Sequence, residues 1–145
     1  MSESAVRRVK ALLVTHGRIG EALVDAAESI AGPIEDVVVL SNEGLSRDAL
    51  IARVREEVAR FGTDGGLVLV DIAGGSCAQA SFLIASRGAP GPVPVLCGLN
   101  LPLFLDYLHN RMEISPRALA ERLAARGQAS VVLLLARETQ PGKAV

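Results

Sequence analysis

The sequence predicts an α/β fold: a mostly parallel sheet with helices on both faces, in three layers. Three observations carry this. Short β-branched and Leu-rich runs alternate with longer segments of helical period, clusters of Gly and Pro separate them, and the short runs are continuously apolar. Continuous apolarity marks strands covered on both sides, as in parallel sheets, whereas a half-exposed strand alternates.

The first run, Val9 to Val14, reads as a buried strand. Gly17 to Ile30 follows as a helix with Ile19, Leu23, Ala26, Ala27 and Ile30 on one face and Glu21, Asp25 and Glu28 elsewhere, and Gly32-Pro33 stops it. Val37 to Leu40 is a second strand. Ser46 is a natural N-cap for a helix reaching Phe61, with Gly62 beyond it. Gly66 to Val70 is the third strand and runs into Asp71, after which Gly74-Gly75-Ser76 turns into a helix from Ser76 to Ser86. A break at Gly88, Pro90, Gly91 and Pro92 precedes a fourth strand, Val93 to Cys97. Helices are predicted at Leu101 to Asn110 and Ser115 to Arg126, closed by Gly127. A last apolar strand spans Ser130 to Ala136, and a polar tail runs from Arg137 to Val145.

At 145 residues, with no internal repeat, low-complexity segment or linker, the chain reads as a single domain with its core from about Val9 to Ala136. Right-handed crossovers leave few topologies for this element order. The common one is flavodoxin-like, strand order 2-1-3-4, with the last strand as an extra edge. In such a sheet, chemistry sits at the carboxyl ends of the first and third strands, where the chain direction of the winding reverses.

Composition removes several classes of function. Lys plus Arg number 15 against 16 Asp plus Glu, so the balance offers no electrostatic case for nucleic acid or an anionic membrane. Aromatic residues make up 3% with no Trp, which leaves no stacking platform for bases or sugar rings. Cys77 and Cys97 are too few for a disulfide framework or zinc knuckle and suit a reduced cytosol. The apolar run Ala11 to Val14 is too short for a signal peptide or a membrane span of about 20 residues.

The two strand ends carry Thr15-His16-Gly17 and Asp71 with Gly74-Gly75-Ser76. A carboxylate that accepts a hydrogen bond from one imidazole nitrogen fixes the tautomer and leaves the other nitrogen with an outward lone pair, a nucleophile. Glycines allow close backbone approach, and the first amides of the following helix present hydrogens to an anion. Ser76 and Thr15 add hydroxyls. In-line positioning and cover for the three equatorial oxygens is what phosphoryl transfer needs, and these groups supply it without a metal or cofactor. Each piece also has a structural reading: Gly-Gly-Ser as an ordinary turn and cap, Asp71 as a cap, Arg18 as a solvated first-turn residue. His109 is read as a helix-end residue, Cys97 as core, and Cys77 as a thiol that a helix N-terminus can acidify.

Leu13-Val14-Thr15-His16-Gly17, Val70-Asp71 with Gly74-Gly75-Ser76, and Gly98-Leu99-Asn100-Leu101-Pro102 together resemble the mannose-type enzyme IIA of the bacterial phosphoenolpyruvate-dependent sugar phosphotransferase system. The resemblance implies that His16 is phosphorylated, that Asp71 orients it, and that Gly74, Gly75 and Ser76 bind the phosphoryl oxygens. It implies a histidine phosphocarrier protein as donor, an enzyme IIB component as acceptor, a role in sugar uptake or its regulation, and a homodimer in which Ser130 to Ala136 pairs with the partner subunit. Where family members commonly carry Pro after Gly-Gly-Ser and a bulky residue before it, this chain has Cys77 and Ala73, which implies a more open pocket.

Other readings are a phosphotransfer subunit for a dihydroxyacetone kinase, a non-catalytic binding module, and a Ser76-His16-Asp71 hydrolase, which lacks the Gly-x-Ser-x-Gly elbow. A receiver domain needs an acidic pair after the first strand to hold magnesium, and Thr15-His16-Gly17 occupies that place.

Overall fold

A computed structural model of the chain describes residues 7–137. In chain order its elements are β1 (Ala11–Thr15), α1 (Ile19–Ala31), β2 (Val37–Ser41), α2 (Arg47–Ala59), a 3-10 turn at Gly62–Asp64, β3 (Leu67–Val70), α3 (Ser76–Arg87), β4 (Val95–Cys97), α4 (Leu101–Asn110) and α5 (Pro116–Gln128). The four strands form one parallel sheet in the order β2-β1-β3-β4. This is the predicted flavodoxin-like arrangement.

Side chains alternate across a strand, and here both sets are buried. Leu12, Val14, Val68 and Val70 face Leu50, Val54 and Val58 of α2 and Cys77, Ala80 and Ile84 of α3. Ala11, Leu13, Leu67 and Leu69 face Ala27 of α1, Phe104 and Tyr107 of α4, and Leu119 and Leu123 of α5. Burying one Leu or Val fully contributes about 1.5–3 kcal/mol, so these two cores hold β1 and β3 rigidly at the centre. Helix starts are fixed locally: Ser46 Oγ accepts the Ala49 N–H at 3.1 Å, Asn100 Oδ1 the Leu103 N–H at 2.9 Å, and Ser115 Oγ the Ala118 N–H at 3.2 Å.

The register decides where the loops emerge. Val14 pairs with Val70 and Thr15 with Ser41, so β1, β2 and β3 end at the same level. His16 and Asp71 are the next residues of adjacent strands. Gly98 and Leu99 both donate their N–H groups to the Val70 carbonyl, at 2.9 and 3.0 Å, which folds the β4 end over the same edge.

Some boundaries differ from expectation. Before Val95, the fourth strand contributes only carbonyls: Pro92 and Pro94 accept from Gly66 and Val68 but have no N–H to return. The strand therefore begins two residues late. Gly127, expected to end the last helix, lies inside α5, where an added Cβ would sit 2.9 Å from Leu103 Cδ1, so its missing side chain lets α5 close on α4. A larger difference, within the single chain, concerns Ser130 to Ala136. Residues 131–137 form no strand in the described chain, and Val131, Val132, Leu133, Leu134 and Leu135 are 68–87% exposed. Apolarity predicts that a segment is destined for burial, but only an adjacent strand edge makes it a strand. The predicted tail beyond Arg137 falls on residues 138–145, outside those described. Among the described residues no helix is long and apolar enough to cross a membrane.

Candidate functional site

β1 and β3 are neighbours, and β2 and β4 flank them, so the winding reverses between β1 and β3. The loops that leave their carboxyl ends bring His16 and Asp71 together although 55 residues separate them. The His16 backbone N–H donates to Asp71 Oδ2 at 2.9 Å, and His16 Nδ1 lies 3.0 Å from both carboxylate oxygens. The Ile72 N–H adds a bond to Asp71 Oδ1 at 3.1 Å. A carboxylate only accepts, so Nδ1 is the nitrogen that carries hydrogen, and in the neutral ring Nε2 keeps its lone pair.

Electrostatics favours the charged form of Asp71. Its side chain is only 8% exposed, and burial by itself would push the carboxyl up. Hydrogen bonds from the His16 backbone and ring, together with the attraction of the imidazole, outweigh burial and hold the carboxyl below the usual range. The His16 side chain is 38% exposed, open enough to meet another protein.

Nε2 faces the Gly75 backbone: a Cβ built on Gly75 would stand 3.8 Å from it. Gly75 has φ of +95°, a left-handed conformation that suits glycine, and it is the N-cap of α3 with no side chain to bond the first turn. The leading N–H groups of α3 thus lack a side-chain cap beside the imidazole, and they carry the positive end of the helix dipole. Ala73, Gly74 and Gly75 are exposed and Ser76 is half-buried.

The site residues predicted from sequence do not all converge. His16, Asp71 and Gly75 come together, and Ser76 follows Gly75 as the first residue of α3. Thr15 does not present its hydroxyl there: it is fully buried, and its Oγ1 accepts the Gly20 N–H at 3.1 Å, capping α1 from below. Arg18 is solvated, with its nearest carboxylate Glu21 at 3.7 Å. Cys77 sits in the first turn of α3, yet burial first and the Asp71 charge second push its thiol up rather than down. Cys97 is half-buried against the α2-α3 core. Among the described residues no hydrogen bond joins Ser76 to His16.

Two positioning residues escaped the sequence. Gly17 adopts φ of +56°, and its peptide is gripped from both ends: its N–H donates to Asn42 Oδ1 at 3.2 Å and its carbonyl accepts from Ser41 Oγ at 2.7 Å. Asn42 also donates its N–H to the Thr15 carbonyl at 3.0 Å. Both follow from β2 ending beside β1, a signal available once the strand order was assumed. His16, Asp71 and Cys77 form the one group among the described residues that could hold a metal ion, with ligating atoms all within 4.8 Å.

Because the Asp71 carboxyl is held below its unfolded value near 3.9, its contribution to stability is present above that value and lost as pH falls through the folded one. Urea denaturation should show Asp71→Asn less stable than wild type by roughly 1–3 kcal/mol at neutral pH. The gap should narrow below about pH 4.

The family model described as the phosphotransferase system fructose IIA component, of the EIIA-man type, matches residues 10–124, most of the chain. The fold is shared with the phosphotransferase system component EIIA from Streptococcus agalactiae, at 25% identity and TM-score 0.78, covering 86% of this chain and 95% of that one. The mannose/sorbose specific IIA subunit from Enterococcus faecalis is likewise 25% identical, with TM-score 0.76 and coverage of 92% and 99%. The IIA protein associated with the fucose utilization operon from Streptococcus pneumoniae, at 18% identity and TM-score 0.74 over 89% and 95%, shares the fold. No curated protein matches the chain significantly. Strand order, the matched span and these likenesses together establish that the chain belongs to the mannose-type IIA family of the sugar phosphotransferase system, a family of phosphotransfer components.

Proposed function

We propose that the chain is a phosphoryl carrier in which His16 accepts a phosphoryl group from the histidine phosphocarrier protein and passes it to an enzyme IIB component. The observation that supports this most is the double hold of Asp71 on the His16 backbone and Nδ1, which leaves Nε2 pointing over the start of α3. In the forward step the Nε2 lone pair attacks phosphorus as the P–N bond to the donor imidazole breaks, and that electron pair returns to the donor ring. No proton leaves His16, so its ring becomes a phosphorylated imidazolium, and the Asp71 carboxylate 3.0 Å away offsets that charge. The Gly74-Gly75 turn and Ser76, with the amides behind them, face the phosphoryl oxygens. The hydrolase reading lacks its central contact, since among the described residues no hydrogen bond joins Ser76 to the His16 ring.

The exposed run Val131–Leu135 supports a second part of the proposal, that the chain is a homodimer in which this segment adds to the partner's sheet. Five consecutive apolar residues in water are costly, and pairing with a second copy would bury them.

Incubation with phosphoenolpyruvate, enzyme I and the phosphocarrier protein should add one acid-labile phosphoryl group per chain. His16→Ala should abolish labelling, and Asp71→Asn should slow it roughly 10–100-fold, the worth of a hydrogen bond to a charged group. Label retained by His16→Ala refutes the assignment. Gly75→Ala should block labelling, because its Cβ enters the space beside Nε2, whereas Gly74→Ala, which meets nothing within 4 Å, should label nearly as wild type. Equal behaviour of the two glycine variants would place the phosphoryl group elsewhere. Sedimentation should find wild type dimeric and Leu133→Asp monomeric at the same concentration.

A further inference from the structure

We propose that His16, Asp71 and Cys77 form a binding site for a soft or borderline divalent cation such as Zn2+, and that an ion bound there shuts down the carrier. The cation-binding half stands on the geometry alone, and the inhibitory half rests on the phosphoryl-carrier reading above.

The three side chains come from three separate segments: the residue after β1, the residue after β3, and the second position of α3. One imidazole nitrogen, one carboxylate oxygen and the Cys77 Sγ all lie within 4.8 Å of one another. Bonds of about 2.3 Å to sulfur and about 2.0–2.2 Å to nitrogen and oxygen would set tetrahedral ligands roughly 3.3–3.7 Å apart. Closing the cluster therefore asks its ligand atoms to approach by up to about 1.5 Å, shared between side chains on a backbone that two cores hold still. A thiolate with an imidazole and a carboxylate selects zinc, cadmium or cobalt over magnesium or calcium, which prefer all-oxygen cages. Cys77 is fully buried and the His16 side chain is 38% exposed, so the cluster spans the boundary between core and solvent.

The chemistry of capture is simple. Binding releases one proton, from the Cys77 thiol, and the thiolate and a ring lone pair go to the cation. If the cation takes Nδ1, the ring hydrogen moves to Nε2 and the nucleophilic lone pair is gone; if it takes Nε2, the pair is used directly. Asp71 is diverted from the imidazole in either case. A cation at this place and a phosphoryl group on His16 are mutually exclusive.

The test is calorimetric titration of the full chain with zinc chloride, with cobalt chloride as a spectroscopic probe. One zinc per chain should bind, and cobalt should give the strong visible bands of a tetrahedral thiolate complex. Cys77→Ser and Cys77→Ala should each weaken zinc at least about tenfold and erase the cobalt–thiolate bands, while Cys97→Ser should behave as wild type. Circular dichroism of each variant checks folding. Wild type that takes up no zinc, titrations that superimpose for wild type and both Cys77 variants, or bands lost in Cys97→Ser instead, would each overturn the site. In the labelling assay, with the phosphocarrier protein charged in advance and separated from enzyme I, zinc should suppress labelling of wild type and leave the rate of Cys77→Ser unaltered. Zinc that binds through Cys77 without slowing labelling refutes the inhibitory half only, and absence of labelling in metal-free wild type refutes the carrier reading while leaving the binding result intact.

Discussion

The carboxylate of Asp71 does three things at once. It accepts from the His16 backbone, from the His16 ring and from the Ile72 N–H that follows it. The first bond fixes the direction in which the chain leaves β1, the second fixes the ring and its tautomer, and the third fixes the carboxylate itself. The consequence is that the imidazole is aimed by the ends of two central strands rather than by a flexible loop, and those strands are rigid because both of their faces are buried.

Around that ring the protein uses backbone more than side chains. Gly75 leaves open the volume beside Nε2, α3 turns its amide end towards it, and Ser41 and Asn42 hold the Gly17 peptide from either end. Backbone donors suit an anion that comes and goes, since they are already oriented and lose little freedom when it binds. The ring is also partly exposed, with its side chain 38% accessible, which suits the proposed hand-over of a group between proteins better than enclosure of a small substrate.

Cys77 changes the character of this site. Beside the proposed phosphoryl site it brings sulfur together with the nitrogen of His16 and the oxygen of Asp71. The same closeness of His16 and Asp71 that favours a phosphorylated imidazolium also favours a cation brought from outside, because a fixed carboxylate beside an aimed lone pair does not distinguish between them.

Local pattern was enough to place the elements and, through the rule that winding reverses beside the first strand, to pair His16 with Asp71 before any coordinates. Continuous apolar runs, caps such as Ser46 and breaks such as Gly32-Pro33 are read within a few residues, so they were legible. Thr15 was misread because burial depends on neighbours far along the chain: its hydroxyl is consumed by Gly20 under α1. The apolar run Ser130 to Ala136 finds no strand edge within the described residues of a single chain, because strand pairing needs a neighbour that local pattern does not supply. Ser41 and Asn42 went unnoticed because their role exists only at the level where β2 ends against β1. The sequence by itself thus determined the layers, the strand order and which acid meets which imidazole, all of which follow from short-range periodicity and handedness. Which nitrogen is held, what holds Gly17 and how near Cys77 comes were decided only by tertiary structure, since distances between segments are set by packing and leave no imprint on local pattern.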